Sequence, residues 1–203
     1  MVKRYNENEI IELVEILNNN GVISVPTDTV YGLCSISNSK ESYNKLMDIK
    51  KRPNSKKLPI MCADKKQIEK FLVVDKKTER IIDTFMPGPL TLILKKKENI
   101  QIYSNDDSDT LAVRMATSEA LRKIISKLDC PIFMSSANIS GESPCTSLDE
   151  IEKTFPELDG MIEGNVVFGL SSTIVDCTSS SIKILREGPI TIEQINNILN
   201  IKK

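Results

Sequence analysis

Residues 22–33 read Val-Ile-Ser-Val-Pro-Thr-Asp-Thr-Val-Tyr-Gly-Leu, and they combine the first clear strand of the chain with a polar turn directly after it. Val22 to Val25 is a short run rich in β-branched residues, which is typical of a buried strand. Pro26 to Leu33 then supplies two hydroxyls, a carboxylate and a phenol, more polar groups than a plain turn needs. Because Pro, Asp and Thr also form ordinary turns, these side chains fit either turn formation or ligand binding.

The segment before this strand has the pattern of an amphipathic helix. Asn6 is suited to cap it, Glu9 stands three positions later as in a capping box, and Gly21 ends it. The apolar stripe of this helix consists of Ile10, Leu13, Val14 and Leu17. The sequence therefore predicts a helix followed by a buried strand.

Short β-rich runs and helical patterns alternate along the rest of the chain. Further strands are predicted at Leu58 to Cys62, Leu90 to Leu94, Leu111 to Met115, Ile132 to Met134, Thr173 to Cys177 and Ile182 to Leu185. Helices are predicted at 40–50, 65–85 with a break near Val74, 118–127, 147–155 and 191–199. This interleaving favours an α/β or α+β fold in which helices cover a sheet, as one domain over residues 1–203.

The composition removes several kinds of chemistry. The 203 residues include no histidine, which excludes Ser-His and Cys-His triads and the commonest zinc ligand. The 27 basic and 28 acidic residues nearly cancel, so attraction of the whole molecule to nucleic acid is not expected. The five cysteines are odd in number and lack metal-binding spacing, and no run is apolar and long enough to span a bilayer. We therefore expect a cytoplasmic protein with reduced thiols.

Three further polar features interrupt the predicted elements. Lys50-Lys51-Arg52-Pro53, with Lys56 and Lys57 close behind, fits either a phosphate-binding loop or cations at a helix carboxyl end. Arg114 interrupts an apolar strand, so it either pairs with a buried anion or lies on a solvated face. Ser135-Ser136-Ala137-Asn138 suits hydrogen-bond recognition of a nucleotide or a carboxylate, or else caps the next segment. None of the eight glycines begins a P-loop or a GxGxxG motif, so a bound nucleotide would be held in another way.

Six segments, in this order along nearly the whole chain, resemble the motifs of the threonylcarbamoyl-AMP synthase family of YrdC-like proteins. They are Pro26 to Leu33, Lys50 to Pro53, Val113-Arg114, Ser136-Ala137-Asn138, Ser172-Thr173 and Arg186-Glu187-Gly188. The resemblance implies a twisted, largely open mixed sheet that is flanked by helices and surrounds a concave basic cavity. It corresponds to the short, single-domain form of the family, without a carboxy-terminal extension.

The resemblance also implies an enzyme, a nucleotidyltransferase. Such an enzyme would form threonylcarbamoyl-adenylate and pyrophosphate from L-threonine, bicarbonate or CO2 and ATP, for the threonylcarbamoyladenosine modification of tRNA. Mg²⁺ would arrive on the ATP oxygens rather than in a dedicated protein site. The expected partners beyond the substrates are tRNA and a downstream threonylcarbamoyl transferase.

By the same resemblance, each functional residue carries over from a motif position. The residues implied for threonine are Thr29, Met61, Arg114, Ser136 and Ser172. The residues implied for ATP are Arg52, Lys56, Thr110, Asn138, Thr146 and Arg186. Lys50, beside the phosphates, and Arg52 would be catalytic. Met61 takes the place of a histidine found in some relatives, and Ser171 that of a proline.

Two rival functions accompany this interpretation. The first is an RNA-binding module without catalytic activity, since a concave cationic surface also suits a nucleic-acid backbone. The balanced charge and the scarcity of aromatic residues, with no tryptophan, argue against it. The second is a carbamoyl-transfer domain of the hydrogenase-maturation type, which occurs with zinc-finger segments for which this chain lacks the cysteine spacing.

Overall fold

The computed structural model describes residues 1–103, 108–166 and 169–200, which contain ten strands and seven helices. The strands are β1 (Arg4–Tyr5), β2 (Ile23–Val25), β3 (Gly32–Ile36), β4 (Ile60–Cys62), β5 (Leu90–Lys95), β6 (Thr110–Met115), β7 (Ile132–Ser136), β8 (Gly160–Ile162), β9 (Thr173–Asp176) and β10 (Lys183–Arg186). The helices are α1 (Ile10–Asn18), α2 (Lys40–Ile49), α3 (Lys65–Phe71), α4 (Lys76–Phe85), α5 (Glu119–Leu128), α6 (Leu148–Thr154) and α7 (Ile192–Asn200).

The strands form one mixed sheet in the order β1-β8-β2-β3-β7-β4-β6-β5-β9-β10. β3 pairs antiparallel with β2 on one side and with β7 on the other. β6 pairs parallel with β4 and antiparallel with β5, which in turn pairs parallel with β9. The predicted mixed sheet with flanking helices is therefore confirmed.

Helices cover the two faces of the sheet unequally. One apolar cluster joins α2, α3, α4, α6 and α7 to strands along most of the sheet. The other joins α1 and α5 to β1, β8, β2, β3, β7 and β4, and none of its described members lies on β6, β5, β9 or β10. On that second face, the last four strands of the sheet are left without a helical layer.

Alternation along β6 shows which side chains this open face receives. Leu111, Val113 and Met115 point into the helix-covered core, whereas Thr110, Ala112 and Arg114 point to the open side. Thr91 and Ile93 of β5 do the same next to them. The uncovered half of the sheet is thus the floor of a cavity.

Most predicted elements are confirmed, including the break near Val74, which separates α3 from α4. The sequence patterns do not predict three of the strands, β1, β3 and β8. β3 is buried at every position but consists of Gly-Leu-Cys-Ser-Ile, which lacks a β-branched run. The prediction that Asn6 caps α1 is wrong by three residues: Asn6 and Glu9 close a separate turn, with the Asn6 amide donating to Glu9 Oε2 at 2.9 Å, and the helix begins at Ile10.

Candidate active site

A cavity of about 490 Å³ lies on the open face of the sheet. β6, β5, β9 and β10 supply its floor, while the connection between β2 and β3, the end of β7 and the loop after α2 supply its walls. A bulge in β10 breaks the alternation, so that two consecutive residues, Leu185 and Arg186, both line it. The cavity therefore gathers residues from segments that are far apart in the sequence.

The charged side chains of the cavity all carry the same sign. Its cationic residues are Arg52, Lys57, Arg114 and Arg186, and no carboxylate of the described chain is among its lining residues. Hydroxyls from Thr27, Thr29, Thr91, Thr110, Ser135, Ser136, Ser171 and Ser172 surround them. Ile93, Ala112 and Ile174 form an apolar patch on the floor. Such a site favours an anionic ligand that also presents hydrogen-bonding groups.

Arg114 is held in place by the turn that follows β2. Its Nη2 donates to Asp28 Oδ1 at 2.8 Å and its Nη1 donates to Thr29 Oγ1 at 3.0 Å. The Arg114 side chain is 10% exposed and that of Asp28 is 9% exposed. Arg114 therefore forms a buried ion pair and does not lie on a solvated face of the strand. Burial lowers the pKa of Arg114, and Asp28 counteracts this.

Two polar atoms of this ion pair remain available. Arg114 Nε and Asp28 Oδ2 are buried and have no hydrogen-bond partner within the described residues. A buried polar atom without a partner costs free energy, so the surrounding side chains satisfy this ion pair only in part. The pair thus fixes the guanidinium while leaving part of its donor capacity unused.

The turn between β2 and β3 is shaped by its own hydrogen bonds and also lines the cavity. Thr27 Oγ1 donates to Val30 O at 2.6 Å and accepts from the Thr29 amide at 3.1 Å, which shapes the turn. Thr29 and Tyr31 then face the cavity. Gly32 follows where a Cβ atom would lie 2.4 Å from Met134 Sδ, so the chain passes close to β7 there.

Arg52 is positioned by the way α2 ends. Lys51 takes the left-handed conformation, with φ of 48°, and the Arg52 amide donates back to Met47 O at 2.9 Å, which turns the chain toward the cavity. The Arg52 side chain then donates to Lys56 O at 2.9 Å and to Lys57 O at 2.7 Å. Two donors are thereby anchored, and Nη1 has no partner within the described residues. Burial lowers the pKa of Arg52.

Arg186 is anchored in a similar way from β10. Its Nε and Nη2 donate to Ser172 O at 3.0 and 2.8 Å. Ser172 Oγ lies 2.7 Å from Thr91 Oγ1 and accepts from Arg186 Nη2 at 3.3 Å. Thr91 was missed by sequence reasoning because threonine in a β-rich run is typical of a strand. Only its alternation with Ile93 on the uncovered side of β5 reveals its place in the cavity.

Ser172 and Thr173 are neighbours in the sequence but contact different parts of the structure, the cavity and the loop after β10. Ser172 lines the cavity, whereas Thr173 Oγ1 donates to Ile190 O at 2.7 Å and accepts from the Gly188 amide at 3.0 Å. A Cβ atom at Gly188 would lie 2.4 Å from Ser171 O, so this position has no room for a side chain. The absence of a side chain at Gly188, two residues after Arg186, therefore lets the loop close against β9.

The structure brings most of the predicted site residues together. Lining the cavity are Thr29, Arg52, Thr110, Arg114, Ser136, Ser172 and Arg186. Outside the lining are Lys50, Lys56, Met61, Asn138 and Thr146. The roles implied for the second group therefore stay predictions, and their positions in the structure show what surrounds each of them.

The surroundings of these residues differ. Met61 is 1% exposed and packs in the core under α1 and α5. Asn138 Nδ2 donates to Ile139 O at 2.7 Å and to Glu142 O at 3.0 Å, which uses the amide within its own loop. Thr146 donates to Glu150 Oε2 at the surface, and Lys56 is exposed beside the cavity.

Lys50, for which the resemblance implies a place beside the phosphates, lies behind the cavity wall in this structure. The residue is 0% exposed. Its Nζ donates to the backbone carbonyls of Ser136 and Asn138, to the latter at 2.8 Å. The side chain is directed inward because Lys50 is the last residue of the α2 turn, before the chain reverses at Lys51.

The fold and the cavity correspond to a known family. The family model for Sua5, YciO and YrdC proteins, described as "Telomere recombination", matches residues 15–188, and the chain belongs to this family. The threonylcarbamoyl-AMP synthases of Pyrococcus abyssi and Bacillus subtilis are 32% and 31% identical to it. A Methanocaldococcus jannaschii protein, provisionally named for the same activity, is 34% identical over 94% of the chain and 92% of its own length.

The extent of these matches differs among the relatives. The chain spans 53% of the Pyrococcus abyssi protein and 57% of the Bacillus subtilis protein, while 88% and 96% of the chain itself is covered. Pyrococcus abyssi Sua5, solved in complex with L-threonine, superposes with a TM-score of 0.88 at 29% identity, covering 98% of this chain and 61% of that one. Escherichia coli YciO, with a TM-score of 0.85 at 22% identity, covers 96% of this chain and 100% of its own and shows the shared fold.

The described helices lie within residues 1–103, 108–166 and 169–200. None of the helices there is both long and apolar enough to cross a bilayer.

Proposed function

We propose that the chain is a threonylcarbamoyl-AMP synthase, which makes threonylcarbamoyl-adenylate and pyrophosphate from L-threonine, bicarbonate or CO2 and ATP. The observation that carries this proposal is the single-signed charge of the cavity, in which anchored arginines stand among hydroxyls and no described carboxylate lines the wall. That chemistry suits an amino-acid carboxylate and a triphosphate together. The names of the relatives and the threonine complex of Pyrococcus abyssi Sua5 support the same activity.

Following the family resemblance, we infer that the cavity holds its two substrates in two halves. Arg114, which Asp28 and Thr29 hold in place, lies with Ser136 and Ser172 where it suits the threonine carboxylate. Arg52, Lys57 and Arg186 suit the triphosphate, since each is a cation of the lining. The two arginines of this second group are fixed by backbone carbonyls, so little reorganisation is needed when charge develops.

The reaction we infer has two steps that balance. The threonine ammonium first loses a proton to give the free amine. The amine attacks CO2 and releases a second proton, or attacks bicarbonate, from which hydroxide leaves and takes the second proton as water; either way an N–C bond forms to give a carbamate. A carbamate oxygen then attacks the α-phosphorus of ATP, a new P–O bond forms, and the bond to the β-phosphate breaks as pyrophosphate leaves. With no histidine in the chain, positioning and charge stabilisation supply the catalysis.

Mg²⁺ is expected to enter with ATP. The described residues contain no group of three or more His, Cys, Asp or Glu that could hold a metal ion, and the cavity lining offers hydroxyls and cations. A lining to which the described residues bring no carboxylate suits Mg²⁺ that arrives bound to the ATP oxygens. We propose that tRNA and a downstream transferase use the product.

The test is a panel assay with the purified protein. It is incubated with ATP, Mg²⁺, radiolabelled bicarbonate and each of the twenty amino acids, and pyrophosphate release and labelled adenylate are measured. Threonine should exceed serine by about 10- to 200-fold, since one methyl group is worth that much, and should exceed valine by more because the hydroxyl partners of the site would be left unpaired. Equal release with all amino acids, release with none, or a better reaction with valine than with serine would contradict the proposal.

A further inference from the structure

Lys50 carries a buried charge for which the fold supplies no carboxylate. Within the described residues its Nζ forms no salt bridge, and both of its hydrogen bonds go to the backbone carbonyls of Ser136 and Asn138. Bringing an ammonium group to 0% exposure is costly, and lysine is rarely fully buried. A hydrophobic side chain would fill the same space without this cost. Stability therefore does not explain why this buried position carries a charge.

The two carbonyls belong to the turn at the end of β7. In that turn Ser136 Oγ donates to Asn138 Oδ1, and Ser136 also lines the cavity. The amide of Ser140 donates back to Lys50 O at 2.9 Å, so the end of α2 and the turn are bonded in both directions. The position of the Ser136 hydroxyl therefore depends on the Lys50 ammonium.

We propose that Lys50 is a positioning residue for the amino-acid half of the cavity, which fixes the Ser136 to Asn138 turn from behind and touches neither substrate. The inference rests on the proposed function, because it takes Ser136 to be a threonine-binding residue. It replaces the expectation that Lys50 contacts phosphate. In this arrangement the motif lysine and the motif arginine act on different halves of one cavity, Lys50 through Ser136 and Arg52 directly.

The charges around Lys50 make this role dependent on pH. Burial and, to a smaller extent, Arg52 lower the pKa of Lys50, and Cys145, in the loop after β7, partly counteracts them, so that the pKa lies at about 7. Charge-assisted hydrogen bonds are stronger than neutral ones, so the hold on the turn weakens as the ammonium loses its proton. Threonine binding should follow this titration.

The first experiment is calorimetry with L-threonine alone, in the absence of ATP, on wild type, Lys50→Met, Ser136→Ala and the double variant. We expect each single substitution to raise the threonine Kd about 3- to 10-fold, the effect of one lost hydrogen bond. The double variant should bind no more than about twofold more weakly than Ser136→Ala, because the two residues act through one contact. Lys51→Met, which removes an exposed lysine from the next position, is the matched control and should leave the threonine Kd unchanged.

The second experiment separates positioning from a purely structural role. The threonine Kd of wild type should rise between pH 6 and pH 8, and that of Lys50→Met should stay flat over this range. If Lys50→Met does not fold, Lys50→Gln replaces it, and its shorter amide donor should give an intermediate Kd.

Three outcomes would overturn the inference. These are additive losses in the double variant, the same pH dependence in Lys50→Met as in wild type, and an unchanged threonine Kd with weakened ATP binding, which would make Lys50 a phosphate ligand. A wild type that binds no threonine would instead refute the proposed function itself. The two failures are therefore distinguishable.

Discussion

Removing the Asp28 carboxylate leaves the Arg114 guanidinium buried without a counter-charge. The two side chains are only 9% and 10% exposed, and breaking such a pair from one side costs about 3–5 kcal/mol. With a urea m-value of about 2 kcal/mol/M, Asp28→Ala should therefore lower the midpoint of urea unfolding by about 1.5–2.5 M. Equilibrium unfolding followed by circular dichroism measures this shift directly.

A double-mutant cycle shows whether the loss comes from the pair itself. Arg114→Met should also destabilise the protein, because it leaves Asp28 buried and unpaired. The double variant should lose less than the sum of the two by about 2 kcal/mol or more. Lys45→Ala is the matched control: its ion pair with Asp159 is 37% and 34% exposed, so it should cost about 1 kcal/mol or less. Additive losses, or a loss for Asp28→Ala as small as the control, would refute the reasoning.

Three further predictions concern Arg52, two glycines and Lys50. Arg52→Ala should fold normally and lose about 10²-fold or more in turnover, the effect of one preorganised donor, whereas near-normal turnover would make Arg52 a helix-end cation only. Gly188→Ala should lower the free energy of unfolding by about 1–3 kcal/mol, because its Cβ atom would lie 2.4 Å from a backbone oxygen. Gly32→Ala should lower it less, because the Met134 thioether that its Cβ atom meets can move. Urea unfolding of the two variants measures the difference, and the reverse order would contradict the packing. From about pH 7 toward pH 10 the unfolded chain keeps the Lys50 proton that the folded chain releases. The free energy of unfolding of wild type should therefore rise relative to that of Lys50→Met over this range. A parallel pH dependence of the two proteins would show that the pKa of Lys50 is not lowered by folding.

The sequence predicted the strands and helices well where a pattern had several residues in which to develop. It missed β3 because Gly32, Cys34 and Ser35 are small residues whose burial comes from neighbours on both sides. β1 and β8 have two and three residues, too few for a period to be seen. Their existence depends on pairing with distant segments, which one sequence does not reveal.

The site was predicted best where a residue was out of place in its own element. Arg114 in an apolar strand indicated either a buried ion pair or a solvated face. The structure shows the ion pair, with Asp28 as the partner that spacing did not identify. Lys50 and Arg52 stood in one motif and were assigned one role, yet the reversal at Lys51 sends their side chains to opposite sides of the cavity wall. Thr91 looked like an ordinary strand residue until the order of the strands showed which side of β5 lacks a helix.

A crystal structure of the chain with L-threonine and a non-hydrolysable ATP analogue tests the central claim most directly, since that claim is that one cavity holds both substrates in line for adenylate formation. The account predicts the threonine carboxylate within hydrogen-bond distance of Arg114, and the triphosphate against Arg52, Lys57 and Arg186. Density for either ligand at a different surface, or a threonine that contacts Lys50 rather than the cavity residues, would contradict it.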